Sequence, residues 1–269
     1  MRETIFVKEN MQPVSPNLID LAKRAANLSR PILRRHFRTP VDVIRKGDES
    51  PVTRADREAE TAIRQLLSRE VPDHGIIGEE HGNERTDADY VWVLDPLDGT
   101  RAFVVGKPTF GTLIALAYKG RPILGVIDMP ILGEQWIGAA GHSTTFNGQP
   151  TSTRDCAHLS EAWINTTSPE MFSAGAEADG FARVRAASAG CNYGGDCYGY
   201  ALIANGCLDL TIEASMQTYD YMALAPVIEG AGGCITDWSG APLTLSGDGT
   251  VLASGDARVH AEAVSLLAS

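Results

Sequence analysis

Tyr90-Val91-Trp92-Val93-Leu94-Asp95-Pro96-Leu97-Asp98-Gly99-Thr100 is the stretch from which the rest of the chain can be read. Its apolar run predicts a short buried strand that ends directly on two aspartates. Pro96 stiffens the loop between them, and Leu97 can offer its backbone carbonyl to the same point. Gly99-Thr100 allows close backbone approach where the chain enters a helix, and free N–H groups at a helix start accept a phosphate. Upstream, Ile76-Ile77 runs into Gly78-Glu79-Glu80, with Glu79 and Asp95 16 positions apart. If the two strands are neighbours, Glu79, Asp95 and Asp98 converge at one sheet edge. Hard divalent cations such as Mg²⁺ take oxygen ligands, and converging carboxylates supply them. Taken alone, Asp98-Gly99 is equally a common surface-turn dipeptide. Enzymes that form an aspartyl-phosphate use D-x-D-x-T, but here Pro96 stands where that nucleophile would be. The D-x-x-D spacing suits metal ligation instead.

Upstream of this stretch, Leu18, Ile19, Ala22, Ala25, Ala26, Ile32, Leu33 and Phe37 lie near a period of about 3.6 and predict a helix after Pro16, ended by Pro40. The polar loop 45–51 leads to a second helix, capped by Thr53 with Asp56, with Ala59, Ile63, Leu66 and Leu67 as its apolar face and Pro72 as its stop. Downstream, residues 111–118 and 123–129 flank a polar turn at 119–122 as a hairpin, and 136–139 add a strand. A looser stretch runs from Thr151 to Arg185. It is followed by a helix at 198–205, a strand at 208–212, a helix at 219–231 and a final strand at 234–236. Gly230-Ala231-Gly232-Gly233 falls at a helix end and reads as a stop, not as a dinucleotide fingerprint. No repeat or linker divides the chain. It is predicted to be one α/β domain over residues 1–269, with the metal motifs in the half up to about 150 and the selectivity elements in about 151–269.

Composition narrows the function. The 269 residues are 43% hydrophobic and 21% charged, values of a soluble globular protein with a sizeable core. A formal net charge of −11 argues against a nucleic-acid partner, which needs a basic footprint. It does not bar an anionic substrate, provided metal ions reverse the local sign. No apolar run approaches the roughly 18 residues of a membrane span, and the first 12 residues lack a signal-peptide core. The 5 cysteines include no C-x-x-C pair, which predicts buried reduced thiols in a cytoplasmic protein. The histidines show no metal spacing and are expected at surface or loop positions. The serines lack a nucleophile-elbow context.

Three separated motifs, Gly78-Glu79-Glu80, Trp92-Val93-Leu94-Asp95-Pro96-Leu97-Asp98-Gly99-Thr100 and Tyr219-Asp220 before Ala223, resemble the inositol monophosphatase superfamily of Mg²⁺-dependent, lithium-sensitive phosphatases. The resemblance runs from about Leu18 to the C-terminus. It implies a layered α-β-α-β-α sandwich and a phosphate monoester hydrolase that uses metal-activated water without a phosphoenzyme. It further implies Glu79, Asp95, the Leu97 carbonyl, Asp98 and Asp220 as metal ligands, with Thr100 helping Glu79 to orient and deprotonate the water. Gly99 and Thr100 would hold the phosphate. Asp56 matches the family's acid that assists a further metal or the water, the helix cap being its other reading. Lys46 matches a basic position near the site, a solvated lysine being its other reading. Glu79, Asp95, Asp98 and Asp220 contribute −4 and a phosphate monoester about −2, so roughly three Mg²⁺ would balance the site. Two to three Mg²⁺, with Mn²⁺ as a substitute, and a homodimer follow from the same resemblance.

The leaving group would face Asp98, Asp196, Glu213 and Asp220. Glu213 lies 7 residues before Asp220, the family's spacing for an acid on the substrate's polar groups. Asp196 lies 17 residues before Glu213, where inositol-type enzymes carry a small neutral residue. A carboxylate pair suits a cationic substrate, because an ammonium gains charge-assisted hydrogen bonds from it. A neutral polyol would leave a desolvated carboxylate poorly compensated. Gly194-Gly195-Asp196-Cys197-Tyr198, with Arg101-Ala102-Phe103 and Gly106-Lys107-Pro108, resembles the histidinol-phosphatase branch, which implies histidinol phosphate as substrate. Asp196 is alternatively an N-cap of the helix near Tyr198. The other functional readings are an inositol-1-monophosphatase, a broad sugar or nucleotide phosphatase, and a non-catalytic binding module. The last would be expected to have lost a ligand, and none of the carboxylates is missing.

Overall fold

The protein is described by a computed structural model covering residues 13–39 and 51–268. Helix α1 (Pro16–His36) starts on Ser15, whose side chain accepts the Leu18 N–H, and α2 (Pro51–Glu70) follows. Strands β1 (Gly75–Gly78), β2 (Gly82–Glu84) and β3 (Tyr90–Asp98) come next, then the short α3 (Thr100–Val104). The chain continues through β4 (Gly111–Tyr118), β5 (Arg121–Met129), β6 (Glu134–Ala139), β7 (Thr145–Phe146) and β8 (Gln149–Pro150). These eight strands form one sheet in the order β2-β1-β3-β4-β5-β6-β7-β8. Only the β1–β3 pairing is parallel.

A second sheet holds β9 (Trp163–Thr166), β10 (Gly190–Tyr193), β11 (Leu210–Glu213), β12 (Cys234–Thr236) and β13 (Val251–Ser254), in the order β10-β9-β11-β13-β12. The helices of this half of the chain are α4 (Ala176–Ala187), α5 (Cys197–Ala204), α6 (Thr218–Tyr221), α7 (Leu224–Gly230) and α8 (Ala257–Leu267).

Burial explains the stacking. Successive strand residues point to opposite faces, so Trp92 and Leu94 go one way and Val93 the other. Trp92, Leu94, Ile114 and Leu116 pack under Leu21, Ala22, Ala25 and Ala26 of α1 and Ile63, Leu66 and Leu67 of α2. Val93, Leu113, Ala115 and Ile127 face α5 and α7, whose other sides cover Ile235, Val251 and Ala253 of the second sheet. The far face of that sheet, Ile164, Leu210, Ile212 and Leu252, meets Phe181 and Val184 of α4 and Val259 and Ala263 of α8. The result is the expected α-β-α-β-α layering. Gly125 and Gly138 let α7 lie against the first sheet, since a Cβ there would fall 1.9 Å and 2.1 Å from the Ala223 and Pro226 carbonyl oxygens.

Several sequence expectations need correction. The hairpin turn is only Lys119-Gly120, both at positive φ (50° and 81°), as a two-residue turn requires, and Arg121 and Pro122 already belong to β5. The looser stretch from Thr151 to Arg185 contains β9 and most of α4, and β10 follows it. The predicted helix at 219–231 divides into α6 and α7, with Pro226 in the first turn of α7, where its missing N–H costs nothing. The strand at 234–236 is not the last, because β13 and α8 come after it. All five cysteines are unpaired, but Cys207 is exposed. His260 is buried between Thr236 Oγ1 (2.9 Å) and Ser254 Oγ (3.0 Å), and burial lowers its pKa to about 4. Lys46, Pro40 and the loop 45–50 lie outside the described residues, as do residues 1–12. Among the described residues no helix is long and apolar enough to cross a membrane.

Candidate active site

The parallel pairing of β1 with β3 sets Gly78 opposite Leu94, and the Glu79 N–H donates to the Leu94 carbonyl at 3.3 Å. Glu79 and Asp95 therefore leave adjacent strands side by side. Asp95 is 2% exposed, and its Oδ1 accepts the Leu97 N–H at 2.9 Å, which folds the Pro96-Leu97 link tightly. Against β4, Asp95 stands opposite Leu113 and Asp98 opposite Gly111, so two residues of β3 face one of β4 and the strand bulges. The bulge turns Asp98 inward. Asp220 arrives on α6, where its Oδ2 accepts the Gln217 N–H at 2.7 Å in a capping box.

Two acidic groups result. Asp95, Asp98 and Asp220 each bring an oxygen within 4.8 Å of the others, and so do Asp56, Glu79 and Glu80. Asp56 is not a helix cap, because α2 begins at Pro51 and carries Asp56 inside its second turn, 4% exposed. Its Oδ1 has no hydrogen-bond partner among the described residues. Burial, then the charges of Glu79, Glu80 and Glu60, push Asp56 up to about 8. Glu79 sits at the rim, but surrounding protein desolvates it and it rises to about 7, with Asp220 and Glu80 adding repulsion. Asp220 rises to about 6 through burial. Asp95 and Asp98 rise well above the carboxylate range, through burial first and then neighbouring acids. Such a cluster binds protons or cations. An all-oxygen donor set with an unpartnered buried carboxylate oxygen fits a hard divalent ion.

Asp98, Gly99, Thr100 and Asp220 form one end of a cavity of about 370 Å³, with Thr167, Asp196, Tyr200 and Glu213 in its lining as well. Gly99 has φ 88° at the head of α3, and a Cβ there would come 2.9 Å from Asp196 Oδ2. Thr100 Oγ1 donates to the Leu97 carbonyl at 3.4 Å. Asp196 occupies the N-cap position of α5 at φ 49°, yet its side chain makes no capping bond. The cap is supplied from across the cavity, by Asp98 Oδ2 accepting the Cys197 N–H at 2.6 Å. The N–H groups that an Asp196 side chain would cap, those of Tyr198 and Gly199, bond instead to the Gly195 and Asp196 carbonyls at 2.8 Å and 3.1 Å, so the Asp196 side chain has no capping role. Asp196 rises to about 6 through burial, opposed by the nearby Lys107 and Arg101 charges. Glu213 is 3% exposed, with Oε1 accepting the Thr167 N–H at 2.9 Å and Oε2 accepting the Tyr200 hydroxyl at 3.0 Å. Burial lifts it to about 7.

The structure gathers every carboxylate singled out in the sequence around one cavity or its acidic floor. It also adds residues not singled out. Glu60 accepts the Glu80 and His81 N–H groups at 2.8 Å and 3.2 Å and is held by Arg64 Nε at 2.6 Å, which clamps the Gly78-Glu79-Glu80 turn. Asp56, Glu60 and Arg64 recur four apart on one helix face, a signal present in the sequence. Thr167 and Tyr200 carry no comparable signal. The Thr167 hydroxyl is buried without a partner among the described residues.

With this geometry in hand, known proteins are informative. The model of the inositol monophosphatase family matches residues 10–268. The chain is 49% identical over 251 residues to the bifunctional phosphatase IMPL2, chloroplastic, of Arabidopsis thaliana, covering 90% of this chain and 72% of that protein. It is 34% identical over 244 residues to the histidinol-phosphatase of Chlorobaculum parvum, covering 91% and 93%. A solved inositol monophosphatase from Zymomonas mobilis superposes with a TM-score of 0.89 at 44% identity, over 94% of this chain and 98% of that one.

Proposed function

The chain belongs to the inositol monophosphatase family, and from that membership we propose that it hydrolyses phosphate monoesters, with L-histidinol phosphate as its preferred substrate. One observation carries the substrate assignment: Asp196 and Glu213, two desolvated carboxylates, line the same cavity as Asp98 and Asp220. An amine and an imidazole supply the donors such a pair needs, whereas a neutral polyol leaves part of their desolvation uncompensated.

Asp95, Asp98, Asp220 and the Leu97 carbonyl would hold Mg²⁺ on one side, and Asp56, Glu79 and Glu80 on the other. Two to three bound Mg²⁺, or Mn²⁺ in their place, supply positive charge that balances the carboxylates and the phosphate and stabilises the departing oxygen. Glu79 accepts a proton from the attacking water, a general-base task open to a carboxylate that stands beside Asp95 at the solvent-facing rim of the acidic cluster. Thr100 fixes the water's line of approach, and Asp56 assists from beneath. Backbone N–H groups at Gly99 and Thr100 orient the phosphate. Pro96 stands where an aspartyl nucleophile would be, so the phosphoryl group passes directly to water. The new P–O bond forms from the water oxygen as the P–O bond to the ester oxygen breaks, and the departing alkoxide takes a proton from solvent water in the open cavity. Asp196 and Glu213 grip the leaving group, with the unpartnered Thr167 hydroxyl as a further donor.

The kinship to a histidinol-phosphatase supports this substrate. The likeness to the Zymomonas mobilis inositol monophosphatase favours a second reading, in which inositol, sugar or nucleotide monoesters are the substrate. The complete set of carboxylates weighs against a purely binding role. Phosphate release in Mg²⁺ from histidinol phosphate, inositol phosphate, fructose bisphosphate and adenosine bisphosphate tests the assignment. The expected kcat/KM is highest for histidinol phosphate by about tenfold or more. An equal or faster rate on inositol phosphate would give the substrate to the second reading. We place the reaction in the cytoplasm, where five unpaired cysteines persist, and expect a homodimer by light scattering.

A further inference from the structure

Where β3 bulges, Pro96 and Leu97 face Thr112 of β4. Pro96 has no N–H to lose to a broken ladder, and its carbonyl is buried at the irregularity. Thr112 Oγ1 donates to that carbonyl at 2.8 Å. Behind Thr112, Ser29 of α1 places its Oγ 2.9 Å from Thr112 Oγ1 and 2.8 Å from the Ala26 carbonyl. Both hydroxyl residues are 0% exposed, so water does not compete for these bonds.

Either hydroxyl can donate to the other, so the directions follow from where the Thr112 hydrogen goes. Two hydroxyls carry two hydrogens for three contacts. The Thr112 hydrogen is engaged by Pro96, so Thr112 is the acceptor toward Ser29. The single Ser29 hydrogen is then shared between Thr112 and the Ala26 carbonyl. A continuous polar chain thus runs from α1 through the sheet to the loop at residues 95–98. The same loop is gripped from the opposite side by the Cys197 N–H on Asp98 and is shaped internally by the Leu97 N–H on Asp95.

We propose that Thr112, backed by Ser29, is a positioning residue that aims Asp95, the Leu97 carbonyl and Asp98 at the bound cation. This rests on the metal-binding reading of those three groups. Mg²⁺ accepts little departure from octahedral contacts of about 2.1 Å, so a small tilt of the loop weakens binding without touching a ligand. Replacing Thr112 by valine keeps the branched shape but leaves the Pro96 carbonyl buried without its donor.

The test is calorimetric titration of the purified protein with MgCl₂ alone, together with the Mg²⁺ dependence of phosphate release. T112V is expected to weaken Mg²⁺ binding roughly tenfold, the lower end for lost outer-sphere partners, and to raise the half-saturating Mg²⁺ by the same factor. The KM for ester at saturating Mg²⁺ stays within about twofold, and T112S, which keeps the hydroxyl, restores binding. T112V that binds Mg²⁺ within about twofold of wild type overturns the inference alone. T112S as impaired as T112V also overturns it, because packing of the methyl would then be the cause. Wild type that binds no Mg²⁺ overturns the metal reading and this inference together. Should T112V fail to fold, T112A repeats the titration with the same two outcomes.

Discussion

Where the acidic cluster meets the cavity, Asp95 and Asp98 are carried by the last residues of a central strand, with Glu79 following its parallel neighbour β1. At the other end, Asp196 sits in a loop of left-handed backbone, with φ 83° at Gly194, 131° at Gly195 and 49° at Asp196. Ser215, at φ 60°, lines the same end. The first group inherits its positions from sheet register, with the bulged link between Asp95 and Asp98 held by the Thr112 and Cys197 bonds. The second depends on loop conformations that side chains and glycine permit. Phosphate chemistry is the same for every ester, so it belongs on the rigid end. Leaving-group recognition differs between esters, and loops can be altered without disturbing the acidic floor.

The largest expected effect breaks the rigid end. Asp95→Asn should lower turnover of every ester by at least about a thousandfold with the fold intact by circular dichroism, since it removes a central ligand charge. Activity within tenfold of wild type on any ester would erase the distinction between the ends. Asp196→Asn acts on the loop end and should separate substrates. The kcat/KM for histidinol phosphate is expected to fall about 10–100-fold, while that for glycerol phosphate stays within about threefold. Equal losses on both would remove Asp196 from recognition.

Removing metal should expose the electrostatic stress of the rigid end. In the unfolded chain Asp56, Glu79 and Asp220 ionise near 4, whereas in the metal-free fold they are pushed up to about 8, 7 and 6. Between those limits the native state holds protons that the unfolded state has released. Stability without metal therefore falls as pH rises from about 4 to about 8. His260 acts in the opposite sense, since its depressed pKa adds stability as pH rises from about 4 to about 6.5. It does so with or without metal, so the difference between Tm in chelator and Tm in Mg²⁺ isolates the acids. That gap should widen by several degrees toward pH 8. A gap that narrows as pH rises would contradict the assigned shifts. The smallest effect is expected for Tyr200→Phe, which leaves Glu213 one bond from the Thr167 N–H. KM for histidinol phosphate should rise about threefold with kcat unchanged, and a tenfold fall in kcat would place Tyr200 closer to the chemistry.

The same contrast governs what the sequence reveals. Glu79, Asp95 and Asp98 are legible because each directly follows or ends an apolar strand, and the parallel pairing then does the rest. Asp56 is ambiguous in sequence because Thr53 before it imitates a cap, and only the true start of α2 at Pro51 settles the matter. Asp196 is ambiguous for a deeper reason. The start of α5 that it would cap is served by Asp98, which accepts the Cys197 N–H from 99 positions away, a partner that no local pattern announces. Trp163-Ile164-Asn165-Thr166 lacks apolar alternation and becomes β9 only through its pairing with β10 and β11. Helix α8 had a readable signal in the Asp256 cap, which accepts the Arg258 N–H at 2.9 Å, with Val259 and Ala263 one turn apart. The Thr112–Pro96 bond is invisible before the strand register is known.

The most direct measurement is X-ray anomalous scattering from crystals soaked in Mn²⁺. The acids at positions 95, 98 and 220 and those at 56, 79 and 80 should each enclose an anomalous peak bonded to carboxylate oxygens. Saturating Mn²⁺ with no peak bridging Asp95 and Asp220 would mean that these side chains meet for some purpose other than holding metal.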